Sequence, residues 1–203
     1  FVAKLDSSGN WLWAKQAGGT DDDYGKGIAV DDNGNSYITG VFYGSATFGT
    51  TTLTSSGSYD IFVAKLDING NWLWANQAGG IIHDEGYSIA VDVYGNSYVT
   101  GVFYSSATFG TTTLTSSSEY YTDIFVAKLD NNGNWLWAKQ AGGTSYDYGY
   151  GITVDANGNS YVTGYFSGSA TFGTTTLTSS GSRDIFISKI GIPVYQVLAP
   201  NGG

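Results

Sequence analysis

The side chains able to do chemistry are few, and most of them recur at fixed intervals. His83 is the only histidine, and its segment Ile81-Ile82-His83-Asp84-Glu85 has Thr20–Tyr24 and Thr144–Tyr148 as counterparts. A loop substitution accounts for it better than a general base does. The chain has no cysteine, which excludes disulfides, thiolate metal sites and thiolate nucleophiles. Serine and threonine are abundant, yet no G-x-S-x-G elbow presents one as a nucleophile. Carboxylate pairs such as Asp31-Asp32 have the chemistry a glycosidase needs. However, Asp31, Asp92 and Asp155 return in every unit of the sequence, and a feature repeated in every unit reads as structural. No catalytic residue is assigned, and the expectation is a protein that is not an enzyme.

Metal and ligand binding have slightly better candidates. The turns Asp67-Ile68-Asn69-Gly70-Asn71 and Asp31-Asp32-Asn33-Gly34-Asn35 echo the first half of a calcium loop, but neither has the acidic residue that closes one at its twelfth position. An Asx-stabilised hairpin turn is the simpler reading. Asp21, Asp22 and Asp23 carry the densest negative charge and are the candidate Ca²⁺ ligands; no other cofactor is expected. Lys4, Lys65, Lys128 and Lys189 share one register and make up half of the eight basic residues. Each either pairs with a repeated aspartate (Asp31, Asp92 or Asp155) or runs its stem along the fold with its head in water. The six tryptophans alternate regularly, which points to packing between units. Tyr120, Tyr121, Tyr146 and Tyr148 fall in variable loops and are the candidate contacts for a glycan or a surface protein. Thr47–Ser58 and Thr171–Ser182 could carry O-glycans.

The elements that position these residues are strands. Val, Ile, Thr, Tyr, Phe and Trp dominate, punctuated by 30 glycines and by Asn, Asp and Ser, and no segment has apolar residues at helical spacing. A net charge of −9 with eight Lys and Arg excludes a clustered basic surface for nucleic acid. No apolar run is long enough to span a membrane. The chain starts at Phe1 and has no methionine, so the expectation is a processed product or part of a longer one.

The sequence aligns on itself. Phe1–Asp6 (F-V-A-K-L-D) returns at Phe62 and Phe125 and, diverged, at Phe186–Ile190, at spacings of 61, 63 and 61 residues. Each unit continues through G-N-W-L-W-A, a glycine pair, G-x-x-I-x-V-D, G-N-S-Y-x-T-G and A-T-F-G-T-T-T-L-T-S. Within it, Trp72 and Trp74 are expected on one face of a strand with Leu73 on the other. Asn-Gly is expected to supply the positive φ angles of tight hairpin turns. Thr108–Thr115 is a last strand or hairpin.

These five sub-motifs, recurring in order over residues 1–190, resemble the bacterial and archaeal SBBP β-propeller repeat. The resemblance implies an all-β fold: a propeller-like tandem repeat of antiparallel four-stranded blades, about sixty residues per unit. The G-x-x-I-x-V-D strand would lie at the axis, followed by G-N-S-Y, then F-V-A-K-L, with W-L-W outermost. The units run 1–61, 62–124 and 125–185, with an extra strand at 186–190 and an extended tail or the start of another module at 191–203. Three units are fewer than a propeller usually has. The chain is then an excerpt of a longer array, one of several copies that close a ring, or a pseudo-threefold trefoil or prism. Residues Phe1, Val2 and Lys4 at one end, and Phe186, Ile187, Lys189, Val194, Tyr195 and Val197 at the other, form the edges for self-association into a ring or fibre. The expectation is a secreted prokaryotic structural or assembly protein at the cell surface, or else an adhesion module that binds through loop aromatics.

Overall fold

The computed structural model describes residues 1–191. Every regular element among them is a strand, paired antiparallel. The tail expected to form a strand, with Val194, Tyr195 and Val197, lies outside the described residues. A hairpin of β1 (Val2–Leu5) and β2 (Trp11–Lys15) comes first. The chain then runs through β3 (Asp23–Val30), β4 (Ser36–Phe42), a small hairpin of β5 (Ser45–Phe48) and β6 (Thr51–Thr54), then β7 (Asp60–Leu66) and β8 (Trp72–Ala78). The same succession returns as β9 (Glu85–Val91), β10 (Ser97–Tyr104), β11 (Ser106–Phe109), β12 (Thr112–Thr115), β13 (Thr122–Leu129) and β14 (Trp135–Gly143). It returns again as β15 (Tyr148–Val154), β16 (Ser160–Phe166), β17 (Ser169–Phe172), β18 (Thr175–Thr178) and β19 (Asp184–Ile190).

Strand order repeats with the sequence. β3-β4-β7-β8 form one four-stranded sheet. β9-β10-β13-β14 are neighbours in the same order, and β17 and β18 extend that sheet to six strands. The third unit has three strands, β15-β16-β19. The first strands of the three sheets pack against one another in turn, β3 on β9 and β9 on β15. Gly27 permits a close approach of the first two, since a Cβ there would lie 2.9 Å from the Cα of Ser88.

Between the sheets lie three apolar layers. β7 is buried along its whole length because its two faces serve different layers. Phe62, Ala64 and Leu66 join Val2, Ile38 and Phe48 towards the β1–β2 hairpin. Ile61 and Val63 join Val99, Phe103 and Phe125 towards the second sheet. Ile124 and Val126 on β13 likewise meet Val162, Phe166 and Phe186 of the third. A strand sandwiched in this way reads as a continuous apolar run, which D-I-F-V-A-K-L is.

Two local expectations are corrected. In the turns only the glycine takes positive φ (Gly34 at 79°, Gly70 at 79°), and no asparagine does. The aspartate carries the remaining geometry: Asp31 Oδ1 accepts from the amides of Asn33 and Asn35, at 3.0 and 2.9 Å. The second correction concerns W-L-W. Leu66 pairs with Trp72 and Lys65 with Trp74, so Leu73 is an extra residue and the strand is bulged there. A bulge reverses the facing of the residues beyond it. Trp72 therefore packs towards the preceding hairpin and Trp74 towards the following sheet.

The Thr-rich segment is a hairpin that reaches backwards. β17 pairs with β14 of the unit before, and isolated bridges join Gly79 to Thr108 and Gly18 to Thr47 in the same way. Side chains tie the hairpin forwards as well: Gln77 on β8 brackets Thr54, donating to its carbonyl at 2.8 Å and accepting from its amide at 3.1 Å. The β5–β6 and β11–β12 hairpins thus rivet the outer strands of successive units together.

Candidate functional site

The repeated aspartates are engaged by their own turns. Asp31 Oδ2 accepts from the Asn35 side chain at 2.9 Å and from the Tyr37 hydroxyl at 3.2 Å. Asp92 and Asp155 do the same with Asn96 and Tyr98, and with Asn159 and Tyr161. The in-register lysines lie over those tyrosines: Lys65 Nζ is 4.7 Å from the Tyr37 ring and Lys128 Nζ is 4.7 Å from the Tyr98 ring. Lys128 also pairs with Asp92 at 3.7 Å. Lys65 instead hydrogen-bonds Asn131 of the next unit. Burial pulls its amine below the usual lysine range, while Asp31 pulls it partly back.

Asp21, Asp22 and Asp23 do not converge. Asp23 accepts from the Gly19 amide at 2.8 Å, Asp21 lies beside Thr20, and the charge of Asp22 raises the Tyr24 hydroxyl. Among the described residues no group of three or more acidic or histidine side chains is placed to hold a metal ion. His83 hydrogen-bonds Glu85, whose other oxygen meets Lys26 on β3. Burial alone would raise the Glu85 carboxyl, but His83 and Lys26 outweigh it and hold it at about 2. The triad is a clamp between β3 and β9.

A different set of carboxylates, not singled out in the sequence, is the most perturbed. Asp60 and Asp84 are both fully buried beside the glycine pair Gly79-Gly80, and Asp123 and Asp147 repeat them beside Gly142-Gly143. Each accepts backbone amides: Asp84 from Gly80 at 2.7 Å and Tyr104 at 3.1 Å, Asp60 from Ser56 at 2.9 Å. Burial pushes Asp60, Asp123 and Asp147 up to about 6 and Asp84 up to about 7, with Asp60 adding to the rise at Asp84. The sequence signal was a second aspartate in register, at the start of each D-I-F strand.

The loop tyrosines form a cluster larger than expected. Tyr121 meets Tyr146 at 4.7 Å, Tyr146 meets Tyr148 at 6.4 Å, and Tyr148 stacks on Tyr165 at 5.0 Å. Tyr150 and Tyr87 complete it, and Arg183 lies 4.5 Å over Tyr165. Tyr120 stands exposed on the same loop. Tyr148, expected in a loop, is instead the first residue of β15, and Tyr150 and Tyr165 were missed because they sit within strands, where an aromatic reads as core; Tyr165 in fact replaces the valine of T-G-V-F in the other units.

The two ends of the array are unevenly covered. Val2 is buried and Lys4 half-buried on β1, whereas Phe1 is exposed. On β19, Phe186 is buried and Lys189 exposed, and Ile185 and Ile187 are 83% and 78% exposed. Their counterparts Ile61 and Val63 are fully buried.

Comparison with known proteins agrees with this architecture. The chain is similar to an uncharacterized WD repeat-containing protein of Acanthamoeba polyphaga mimivirus, 28% identical over 186 residues, covering 77% of this chain and 13% of the relative. It is also similar to the regulatory protein FlaEY of Caulobacter vibrioides, 30% identical over 104 residues, covering 49% of this chain and 11% of that protein. The chain therefore spans only a small fraction of either relative. A family model described as a β-propeller repeat, SBBP, matches residues 12–41 and 136–165. Each match runs from a W-L-W strand to the G-N-S-Y strand of the next unit, and the chain carries the SBBP β-propeller repeat in those two segments.

Proposed function

We propose that the chain is a non-catalytic propeller-type scaffold of the prokaryotic cell surface that self-assembles, end on end, into a ring or filament. The observation that carries this reading is the contrast at β19. Among the described residues, Ile185 and Ile187 are exposed on the three-stranded sheet, while the same positions are sealed where a further sheet follows. Unpaired strand edges flanked by exposed apolar residues are templates for another chain. Neither relative's name describes a reaction, and the polar clusters described above hold strands and turns together. Mass measurement over a concentration series tests the reading. Particles of two or more chains are expected, and single chains at every concentration would contradict it.

A second reading rests on the tyrosine cluster. Tyr121, Tyr146 and Tyr150 are each more than a third exposed around the stacked Tyr148–Tyr165 pair. Flat aromatic faces with an arginine alongside suit the apolar face of a sugar ring. A glycan array in which Tyr150→Ala abolishes a signal would support it, and an array blank for the native chain would remove it.

A further inference from the structure

One lysine of the repeat is fastened differently from its counterparts, and the difference sets a nucleophile against an amide. Lys65, within β7, is 5% exposed, and its Nζ donates to the side-chain oxygen of Asn131, in the turn between β13 and β14 of the next sheet. One repeat further on, Lys128 pairs with Asp92 instead. The fold does not require an amide at residue 131. Ser7 and Ile68 take its place in the corresponding turns Asp6-Ser7-Ser8-Gly9-Asn10 and Asp67-Ile68-Asn69-Gly70-Asn71.

Asn131 is held in place from several sides. The Trp74 indole N–H donates to its backbone carbonyl at 3.0 Å. Asn76, which stands where the other units have Lys15 and Lys139, donates to the Gly133 carbonyl at 2.9 Å and fixes the rest of the turn. Gly95 lets the amide settle close, since a Cβ there would lie 3.0 Å from Asn131 Cγ. The buried Tyr37 hydroxyl lies 3.3 Å from the same amide oxygen and 3.2 Å from Asp31 Oδ2. An amine, an amide, a phenol hydroxyl and a carboxylate are thus gathered at the junction of two sheets. Groups held together in this way react as if at very high concentration.

We infer that Lys65 and Asn131 join in an isopeptide bond that staples β7 of one sheet to the β13–β14 turn of the next. Burial weakens the hold of the Lys65 amine on its proton, which frees the neutral nucleophile. Lys65 Nζ attacks Asn131 Cγ, and the Tyr37 hydroxyl donates to the amide oxygen as negative charge gathers there. The Asp31 carboxylate, whose charge already acts on the amine, takes the proton that Nζ gives up. That proton passes to Nδ2, the Cγ–Nδ2 bond breaks, and ammonia leaves while the new Nζ–Cγ bond remains. No oxidant or further reactant is consumed. Asn131 reaches the surface, so the ammonia has a way out. The bond ties together residues 66 apart in sequence and so restricts the unfolded chain. It forms within one chain and stands whether or not chains assemble.

Mass spectrometry of the native chain, folded, incubated and then denatured, tests this. The expected mass is that of the sequence less one ammonia. After tryptic digestion the peptides containing Lys65 and Asn131 should be recovered as one branched species. Lys65→Arg and Asn131→Ala should each restore the full mass. Tyr37→Phe and Asp31→Asn, both close in shape to the native residues, should slow the loss of ammonia at least about tenfold. Succinimide formation at an Asn-Gly pair such as Asn132-Gly133 also releases ammonia, so the peptide map decides between the two. A full-mass native chain after prolonged incubation would overturn the bond, and so would a loss that maps to an Asn-Gly pair or persists in Lys65→Arg.

Discussion

At the scale of single residues, the fold is stabilised by charges set in opposite directions. Asp6, Asp31, Asp67, Asp130 and Asp155 accept hydrogen bonds from their own turns and are held below the usual carboxylate range. Asp60, Asp84, Asp123 and Asp147 are buried at the glycine pairs and raised, Asp84 to about 7. A raised carboxyl keeps its proton in the folded chain and loses it on unfolding, so its stabilising contribution is complete below the unfolded value and vanishes as pH climbs through the folded one. Thermal midpoints should therefore fall between about pH 4 and pH 7. Asp84→Asn should flatten that slope, and differential scanning calorimetry across the window decides it; a midpoint that rises throughout would contradict the assignment. Lys128→Met should cost about 3 kcal/mol, because Asp92 and Tyr98 stay buried without their cation. A loss under about 1 kcal/mol in urea titration would mean that the lysine head is effectively solvated.

At the scale of the element, much of the organisation was legible. Period-two patterning located β7, and the D-x-x-G-N turns were marked by glycines whose positive φ no other residue supplies there. The bulge at Leu73 was not legible: alternation alone puts Trp72 and Trp74 on one face, and only the pairing of Leu66 with Trp72 reveals the extra residue. The backward reach of the A-T-F-G-T-T-T-L-T hairpin was also hidden, since it depends on a long-range bridge from Gly79 to Thr108. The glycine pair was visible, but its reason was not. A Cβ on Gly80 would fall 1.9 Å from the Ser106 carbonyl, so hairpin and strand can touch only without a side chain. Gly80→Ala should accordingly destabilise the chain by at least about 2 kcal/mol. Trp135→Ala, which removes the indole packed edge-on against Phe109 and bonded to the Gln77 carbonyl, should cost about 3 kcal/mol. Both are read from chemical denaturation, and values within error of the native chain would show that the hairpin is not a rivet.

At the scale of the whole molecule, each sheet borrows its seal from the next. The three apolar layers lie between units, and β7 and β13 have both faces buried, while β19 has one face bare among the described residues. The repeat was plain in the sequence, and so was the surplus of strands at its ends; what could not be read there was that each apolar layer lies between two units. On the assembly reading proposed above, copies would add until no edge is left or a fibre has formed. Electron microscopy of protein purified without denaturant tests this most directly. Closed rings or regular fibres built from several chains are the predicted result. A uniform field of single-chain particles at every concentration would contradict the account.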